Sequence, residues 1–332
     1  MRSTRKRNTK RRRSKRLYRK IVTGLSVLLL AVVAFVVEYH GGFGGVPSWS
    51  ELYTALGVPM EGPDPQLLTD STTTVSVLDV GQGDSVLIGQ DGEYCLIDTG
   101  TAESREQLVQ DLQWAGITEL KYLVLTHPHA DHTGGALTVL EHFPVEQVLL
   151  PVWEAEESPW PRGLQEEAEA AGVSIVETEE GNSYTLGSGV LHVLQGGSAW
   201  MEEEDDANNG SLCLLFEAGG FRYLATGDAE ESAEQALVDR YGRNLQATLY
   251  KAGHHGSSTS SGEELLEVVQ PQAAVISCGL DNEYGHPHEE VLRRMEAAGI
   301  EIYRTDTMGT ITFTYEDGAL HAVTADTGQA AA

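Results

Sequence analysis

The chain has 332 residues, of which 22 are Lys or Arg and 50 are Asp or Glu, giving a net charge of -28. With 41% apolar and 22% charged residues the composition is globular rather than disordered, and long enough for one large domain or two smaller ones. Glycine without a three-residue period, the lack of heptads and only three Cys exclude collagen-like, coiled-coil and disulfide-scaffold classes.

Residues 1–20 hold twelve Lys or Arg and no acid, which leaves 10 basic against 50 acidic groups, a balance of -40, for the remainder. The run 21–37 carries no charge, and as a helix it would span roughly 25 Å, the short end of a bilayer crossing. Its basic flank would stay in the cytoplasm and direct the rest of the chain outward. A cleaved signal peptide shares this layout, but the apolar run is long for one, and Glu38-Tyr39-His40 stands where a small-x-small cleavage site belongs. A nucleic-acid-binding arm is the other reading of residues 1–20, and its direct junction with the apolar run favours a topology signal. The expected organisation is a basic cytoplasmic tail (1–20), an uncleaved single-pass membrane anchor (21–37), a linker (38–71) rich in Gly and Pro over 41–70, one extracellular domain (72–326) and a short C-terminal tail (327–332).

Beyond the linker, short β-branched runs alternate with helical patterns. Strands are expected over 74–80, 85–89 and 94–97, joined by turns at Gly81-Gln82-Gly83 and Asp91-Gly92. A helix over 104–115 and a strand over 121–126 follow. Later helices are expected near 163–171, 231–241, 262–269 and 288–298, and strands near 211–217, 221–226, 273–277, 300–304 and 310–315. The mixture is that of an α/β layered domain. Residues 201–206, with five carboxylates in six positions, read as a solvated loop. Cys95, Cys213 and Cys278 lie in apolar strand-like runs and read as small buried core residues.

The chemistry begins directly after the strand at 121–126, where His127, His129, Asp131 and His132 fall within six residues. Such a cluster is too polar to sit in a core without a purpose. Neutral imidazoles and a carboxylate are good ligands for divalent zinc or manganese, and in an extended turn His127 and His129 point to one side while Asp131 and His132 reach a second centre. A binuclear site needs further ligands at other strand ends. Asp228 follows the strand at 221–226 through Gly227 and could bridge two cations; Asp98 ends another strand and could orient a ligand. His254 and His255 are adjacent and point different ways, so that one could ligate and the other face substrate. Lys251 could neutralise an oxyanion or phosphate oxygen, and His286 could protonate a leaving group or hold a phosphate.

These motifs resemble the metallo-β-lactamase superfamily, and within it the chain is similar to the extracellular metallo-β-lactamase-like domain of ComEC-type competence proteins. The landmarks are Leu78-Asp79-Val80-Gly81-Gln82-Gly83-Asp84-Ser85, the histidine loop, Asn209-Gly210-Ser211-Leu212, Thr226-Gly227-Asp228, His254-His255-Gly256-Ser257 and Tyr284-Gly285-His286-Pro287. The resemblance implies an αββα sandwich with a two-cation site at one edge of its sheets. It implies His127 and His129 on one cation, Asp131 and His132 on the other, Asp228 between them, and one of His254 and His255 on the second; Asp79, Asp84, Asp98 and Asn209 are expected as supports. A third His for the first cation is not expected. His192 alternates within a strand, and Asn208-Asn209-Gly210-Ser211 occupies the corresponding place, as in the ComEC-like branch.

Two classes of function follow. One is a metal-dependent hydrolase that uses a metal-bound hydroxide on phosphodiesters, with DNA or a phosphorylated envelope polymer as substrate. The other is a competence-related accessory or binding module with a degenerate or regulatory metal site. One apolar segment cannot form a pore, and the -40 balance disfavours long-range attraction of polyanions.

Overall fold

The computed structural model describes residues 62–70, 73–154, 158–201, 207–324 and 330–331. The expected tail, the anchor at 21–37, most of the linker and most of the acidic run 201–206 lie outside the described residues. Among the described residues no helix is long and apolar enough to cross a membrane.

In chain order the first strands are β1 (Thr73–Val77), β2 (Val86–Gln90), β3 (Glu93–Ile97), β4 (Leu120–Val124), β5 (Val145–Pro151) and β6 (Ser174–Thr178). There follow β7 (Ser183–Leu186), β8 (Gly189–Gln195), β9 (Cys213–Ala218), β10 (Phe221–Ala225), β11 (Leu249–Lys251), β12 (Ala273–Ile276) and β13 (Glu301–Arg304). The chain then returns through β14 (Ile311–Glu316), β15 (Ala319–Thr324) and β16 (Ala330–Ala331) to the first sheet. That sheet has nine strands in the order β16-β15-β14-β1-β2-β3-β4-β5-β6, and the second has seven in the order β13-β12-β11-β10-β9-β8-β7.

Alternation along each strand divides the apolar residues between two layers. Val75, Val77, Ile88, Ile97 and Val124 of the first sheet meet Phe216, Tyr223, Leu249 and Val275 of the second in a core between the sheets. Their neighbours Leu78, Leu87, Leu96 and Leu123 face outward, into a layer with Leu108 and Leu112 of α2 (Arg105–Trp114), Val139 of α4 (Ala136–His142) and Leu164 of α5 (Leu164–Ala171). On the far side Leu224, Tyr250 and Ile276 pack on Leu237 of α6 (Glu231–Tyr241), Leu266 of α7 (Glu263–Val269) and Met295 of α8 (Glu289–Ala297). The molecule is thus an α/β sandwich of four layers, helices outside two sheets. Strands covered on both faces lose the polar alternation of a half-exposed sheet, which is why β1, β2 and β12 are buried throughout. Cys95, Cys213 and Cys278 are free and buried, as expected.

Two details differ from the sequence reading. The tether expected over 41–70 ends in a helix, α1 (Pro65–Asp70), because Pro65 suits a first helical turn and Leu68, 4% exposed, packs under the outer helices. The tail expected from 327 onward contributes β16, which pairs with Ala322 and Val323 of β15.

The fold positions the site by parallel pairing. Strands β3 and β4 run parallel, as do β10, β11 and β12, so the loops after their C-terminal ends gather at one edge of the sandwich. Asp98 follows β3, the histidine loop β4, Asp228 β10, and His254 and His255 follow β11.

Candidate metal centre

The histidine loop is fixed before any cation is considered. Asp98 accepts bonds from the Thr126 N–H (2.8 Å) and hydroxyl (2.7 Å), and the one-turn helix α3 (Ala130–Thr133) hangs from Thr99, whose N–H donates to the His132 carbonyl at 2.7 Å. The Gly81–Gly83 turn closes over it. Asp84 N–H donates to the Asp131 carbonyl at 3.1 Å, and a Cβ on Gly83 would stand 2.4 Å from that oxygen, which explains the glycine. Gly227 is equally constrained, at φ +55 with Ser211 2.8 Å from a virtual Cβ. Ser211 Oγ accepts the Asp228 N–H at 3.1 Å, so the turn delivers the Asp228 carboxylate to the centre.

Asp228 Oδ2 is the hub. Around it stand the Nε2 atoms of His132 (3.2 Å), His255 (3.5 Å), His127 (3.8 Å) and His254 (3.9 Å). Two groups of ligating atoms share Asp228, each lying within 4.8 Å of one another: His127, His129 and Asp228, and Asp131, His132, Asp228 and His255. Asp131 Oδ2 completes the second at 3.3 Å from His255 Nε2.

The far nitrogens determine which atoms are free to ligate. His132 Nδ1 lies 2.8 Å from Asp98 Oδ2 and His255 Nδ1 lies 3.0 Å from the Ser277 carbonyl. Both partners only accept, so Nδ1 carries a proton and Nε2 is the nitrogen turned to the centre. Those two Nε2 atoms, together with Asp228 Oδ1, are buried without a hydrogen-bond partner. Orphaned donors and acceptors of this kind are expensive to bury, and a divalent cation satisfies all of them. The donor set therefore fits a metal.

Charge in the cluster is strongly coupled. Burial would raise the Asp228 carboxyl, but His132 and His255 outweigh it and hold it well below the usual carboxylate range. Burial opposes charge on His132 and His255 too, yet Asp228, with Asp98 and Asp84 respectively, draws protons onto them and lifts both well above an ordinary imidazole. His127 goes the other way, pushed well down by burial and then by His132. Burial tends to raise Asp131 as well, but the bond from His255 and the charge of His132 bring it to about 2.

Several expected residues stand elsewhere. Lys251 does not reach the cleft: it is 2% exposed, with Nζ 2.5 Å from Asp84 Oδ2 and 2.9 Å from the Ala252 carbonyl, because β11 points it inward. The oxyanion role expected of it is replaced by a structural one, since Asp84 Oδ1 lies 3.2 Å from His255 Nδ1. Asp79 accepts the Gly81 N–H at 3.1 Å within its own turn. Asn209 Oδ1 accepts the Glu230 N–H at 2.9 Å and so braces the segment after Asp228. His192 pairs with Glu217 and Ser183 on β8, an ordinary strand residue as expected.

Of the adjacent pair, His255 is buried in the cluster, whereas His254 is partly exposed at its rim beside Glu230, 3.3 Å away. Both adopt left-handed backbone, φ +46 and +54, a costly arrangement outside glycine that the surrounding loop must enforce. His286 is half-buried next to them, with ring centroids 5.6 Å from His254 and 6.2 Å from His255. Burial, then its histidine neighbours, lowers it to about 4. Gln82, unremarked in the sequence except as part of the turn, fixes its tautomer. Gln82 Oε1 accepts the Gly279 N–H, so its Nε2 donates to His286 Nδ1 at 3.4 Å and leaves the His286 proton on Nε2. Glu230, Ser211, Ser277 and Gln82 were not foreseen, because each matters through a partner distant in sequence.

Residues 78–280 match the family described as the metallo-beta-lactamase superfamily. The chain is 36% identical over 262 residues to ComE operon protein 3 of Bacillus subtilis (strain 168), covering 73% of this chain and 33% of that protein. It is 32% identical over 310 residues to Competence protein ComA of Neisseria gonorrhoeae, covering 90% of this chain and 40% of that one. It thus spans only a third to two-fifths of the length of these two relatives. Among solved structures, CmlA, a diiron beta-hydroxylase from Streptomyces venezuelae, superimposes with a TM-score of 0.52 at 16% identity, over 84% of this chain and 62% of CmlA, a likeness of fold alone. Sandwich, cluster and matched segment agree: the chain belongs to the metallo-beta-lactamase superfamily.

Proposed function

We propose that the chain is a metal-dependent phosphodiesterase held at the outer face of the cell membrane, with His127, His129 and Asp228 holding one divalent cation and Asp131, His132, His255 and Asp228 a second. Imidazole and carboxylate donors suit zinc or manganese. The observation that carries the reading is Asp228 Oδ2 at the focus of four imidazole nitrogens. Bound cations would lower the pKa of a coordinated water and neutralise charge on the oxygens of an in-line displacement.

The chain's own groups supply the rest. Asp131, one-third exposed and ionised, stands at the second position, where it would ligate the cation and can accept a hydrogen bond from water held there. His286 has Nε2–H to donate to a substrate oxygen at the rim. Asp98 and Ser277 keep His132 and His255 in the ligating tautomer. A first position with no third histidine argues against β-lactam hydrolysis, and the competence relatives favour DNA over envelope polymer as substrate.

The test is hydrolysis by zinc- or manganese-loaded protein of bis-p-nitrophenyl phosphate, DNA, phosphorylcholine esters and a chromogenic β-lactam. Cleavage confined to the phosphodiesters is expected; no cleavage of any would favour the accessory-module reading. The proposed topology rests on the charge step across residues 21–37. Protease added to intact cells should remove the domain, and full protection where the outer membrane surface is accessible would contradict it.

A further inference from the structure

Among the described residues, the exposed large hydrophobic side chains are Leu280 (71%) and Tyr284 (62%), and both sit on one turn at the rim of the metal cluster. We propose that Tyr284, backed by His286, is a base-stacking platform that seats an unpaired nucleobase beside the bond to be cleaved. The proposal rests on the phosphodiesterase reading and names its substrate as a single-stranded, base-bearing chain.

The rings form a continuous series. Tyr284 stacks on His286 at 5.7 Å between centroids and 22° between planes, and His286 stacks on His255 at 6.2 Å and 27°. The outer ring is therefore within 22° of parallel to His286, which leads on to the cluster through His255. Its turn is braced: Asn282 accepts the His286 N–H at 3.0 Å and donates to the carbonyls of His286 (2.6 Å) and Gly279 (2.9 Å), while Gln82 bonds both Gly279 and His286. A turn held this firmly has little backbone freedom left to lose on binding.

One ring and one leucine are too small for a protein partner, whose side of a stable interface occupies about 800 Å². Exposed Asp281 and Glu283 precede Tyr284 in the same turn and would repel anions there, lipid headgroups and phosphates alike. What such a ring can hold is the neutral face of a base whose phosphate is held elsewhere. Every base has such a face, and a duplex covers it with neighbouring pairs, so the preference is for unpaired strands.

The experiment is fluorescence-anisotropy binding of a single-stranded oligonucleotide, its duplex, and an abasic strand of equal length to the full chain, with kcat and KM measured in parallel. Tyr284→Ala should weaken binding of the base-bearing strand by about tenfold and raise its KM to match. Tyr284→Phe should restore it, and the abasic strand should bind both proteins alike, as weakly as the base-bearing strand binds the alanine variant. Equal losses on both strands, no loss at all, wild-type binding to neither strand, or equal preference for the duplex would overturn the platform. Tyr284-dependent binding without cleavage would leave the platform standing and sink the phosphodiesterase reading instead.

Discussion

On the side of His132 and His255, each ligating ring has its far nitrogen anchored by a buried acceptor, Asp98 or the Ser277 carbonyl, and Asp84 beside His255 is neutralised by a buried Lys251. On the side of His127 and His129 the support is thinner. His127 Nδ1 has the Thr126 hydroxyl at 3.2 Å, while His129 is exposed and its Nδ1 meets only its neighbour's Nε2 at 3.0 Å among the described bonds. The rings of one half are thus braced by buried acceptors, whereas the other half ends in the exposed His129. Anchored ligands cost less to organise around a cation, so the second position should fill first and hold its ion longer.

The largest effect should come from removing what the halves share. Asp228→Asn takes the negative hub from among four imidazoles and should lower bound metal in both halves, cutting phosphodiester turnover by more than about 10²-fold. Metal analysis beside a rate assay checks it. Asp131→Asn affects the second half alone: about 10²-fold in turnover with an unchanged thermal melt, because Asp131 is one-third exposed on a loop. An unchanged rate in the metal-loaded variant would move the chemistry away from this site.

Lys251→Ala tests the scaffold behind the second half. It strands a buried Asp84 carboxylate, a loss of the kind that costs about 3–5 kcal/mol, and should weaken second-ion affinity by about 10–100-fold. His129→Ala is the counterpart on the other side: first-ion loss with no change in the melt. Denaturant unfolding and metal titration of the pair would erase the comparison if both variants behaved alike.

A smaller effect concerns the segment after the His254–His255 loop, which Glu234 of α6 holds by accepting the Ser261 and Gly262 N–H groups at 2.7 and 2.8 Å. Burial lifts this carboxyl from 4.5 to about 7. Between those values the folded chain keeps a proton that the unfolded chain releases, so stability should fall as pH rises from 4.5 to 7 and level off above, by up to about 3 kcal/mol. Glu234→Gln, which cannot ionise, should flatten this part of the profile in denaturant unfolding.

The cluster was legible because its chemistry is local: a strand end followed by His127, His129, Asp131 and His132 points to a metal, and Asp228 and His255, which the fold brings to the same place, follow strands in the same way. Lys251 was misread because nothing in its neighbourhood announces Asp84, which only the meeting of β11 with the Gly81–Gly83 turn brings within 2.5 Å. The same holds for Gln82 on His286. Strands were read where β-branched runs were dense. They were missed at β5, where Glu146 and Gln147 interrupt an otherwise apolar run, at β6 and β7, edge strands of mixed burial, and at β15, where Ala319, Leu320 and His321 stay at least partly exposed. The helix at Pro65–Asp70 was hidden by the Gly- and Pro-rich sequence before it.

The most direct test of a cation pair centred on Asp228 is metal content and bis-p-nitrophenyl phosphate turnover measured on one sample, purified without chelator, then stripped and reloaded. About one to two transition ions per chain are expected, with turnover lost on stripping and regained with zinc or manganese. A stripped protein that remains folded and hydrolyses at the original rate would contradict the account.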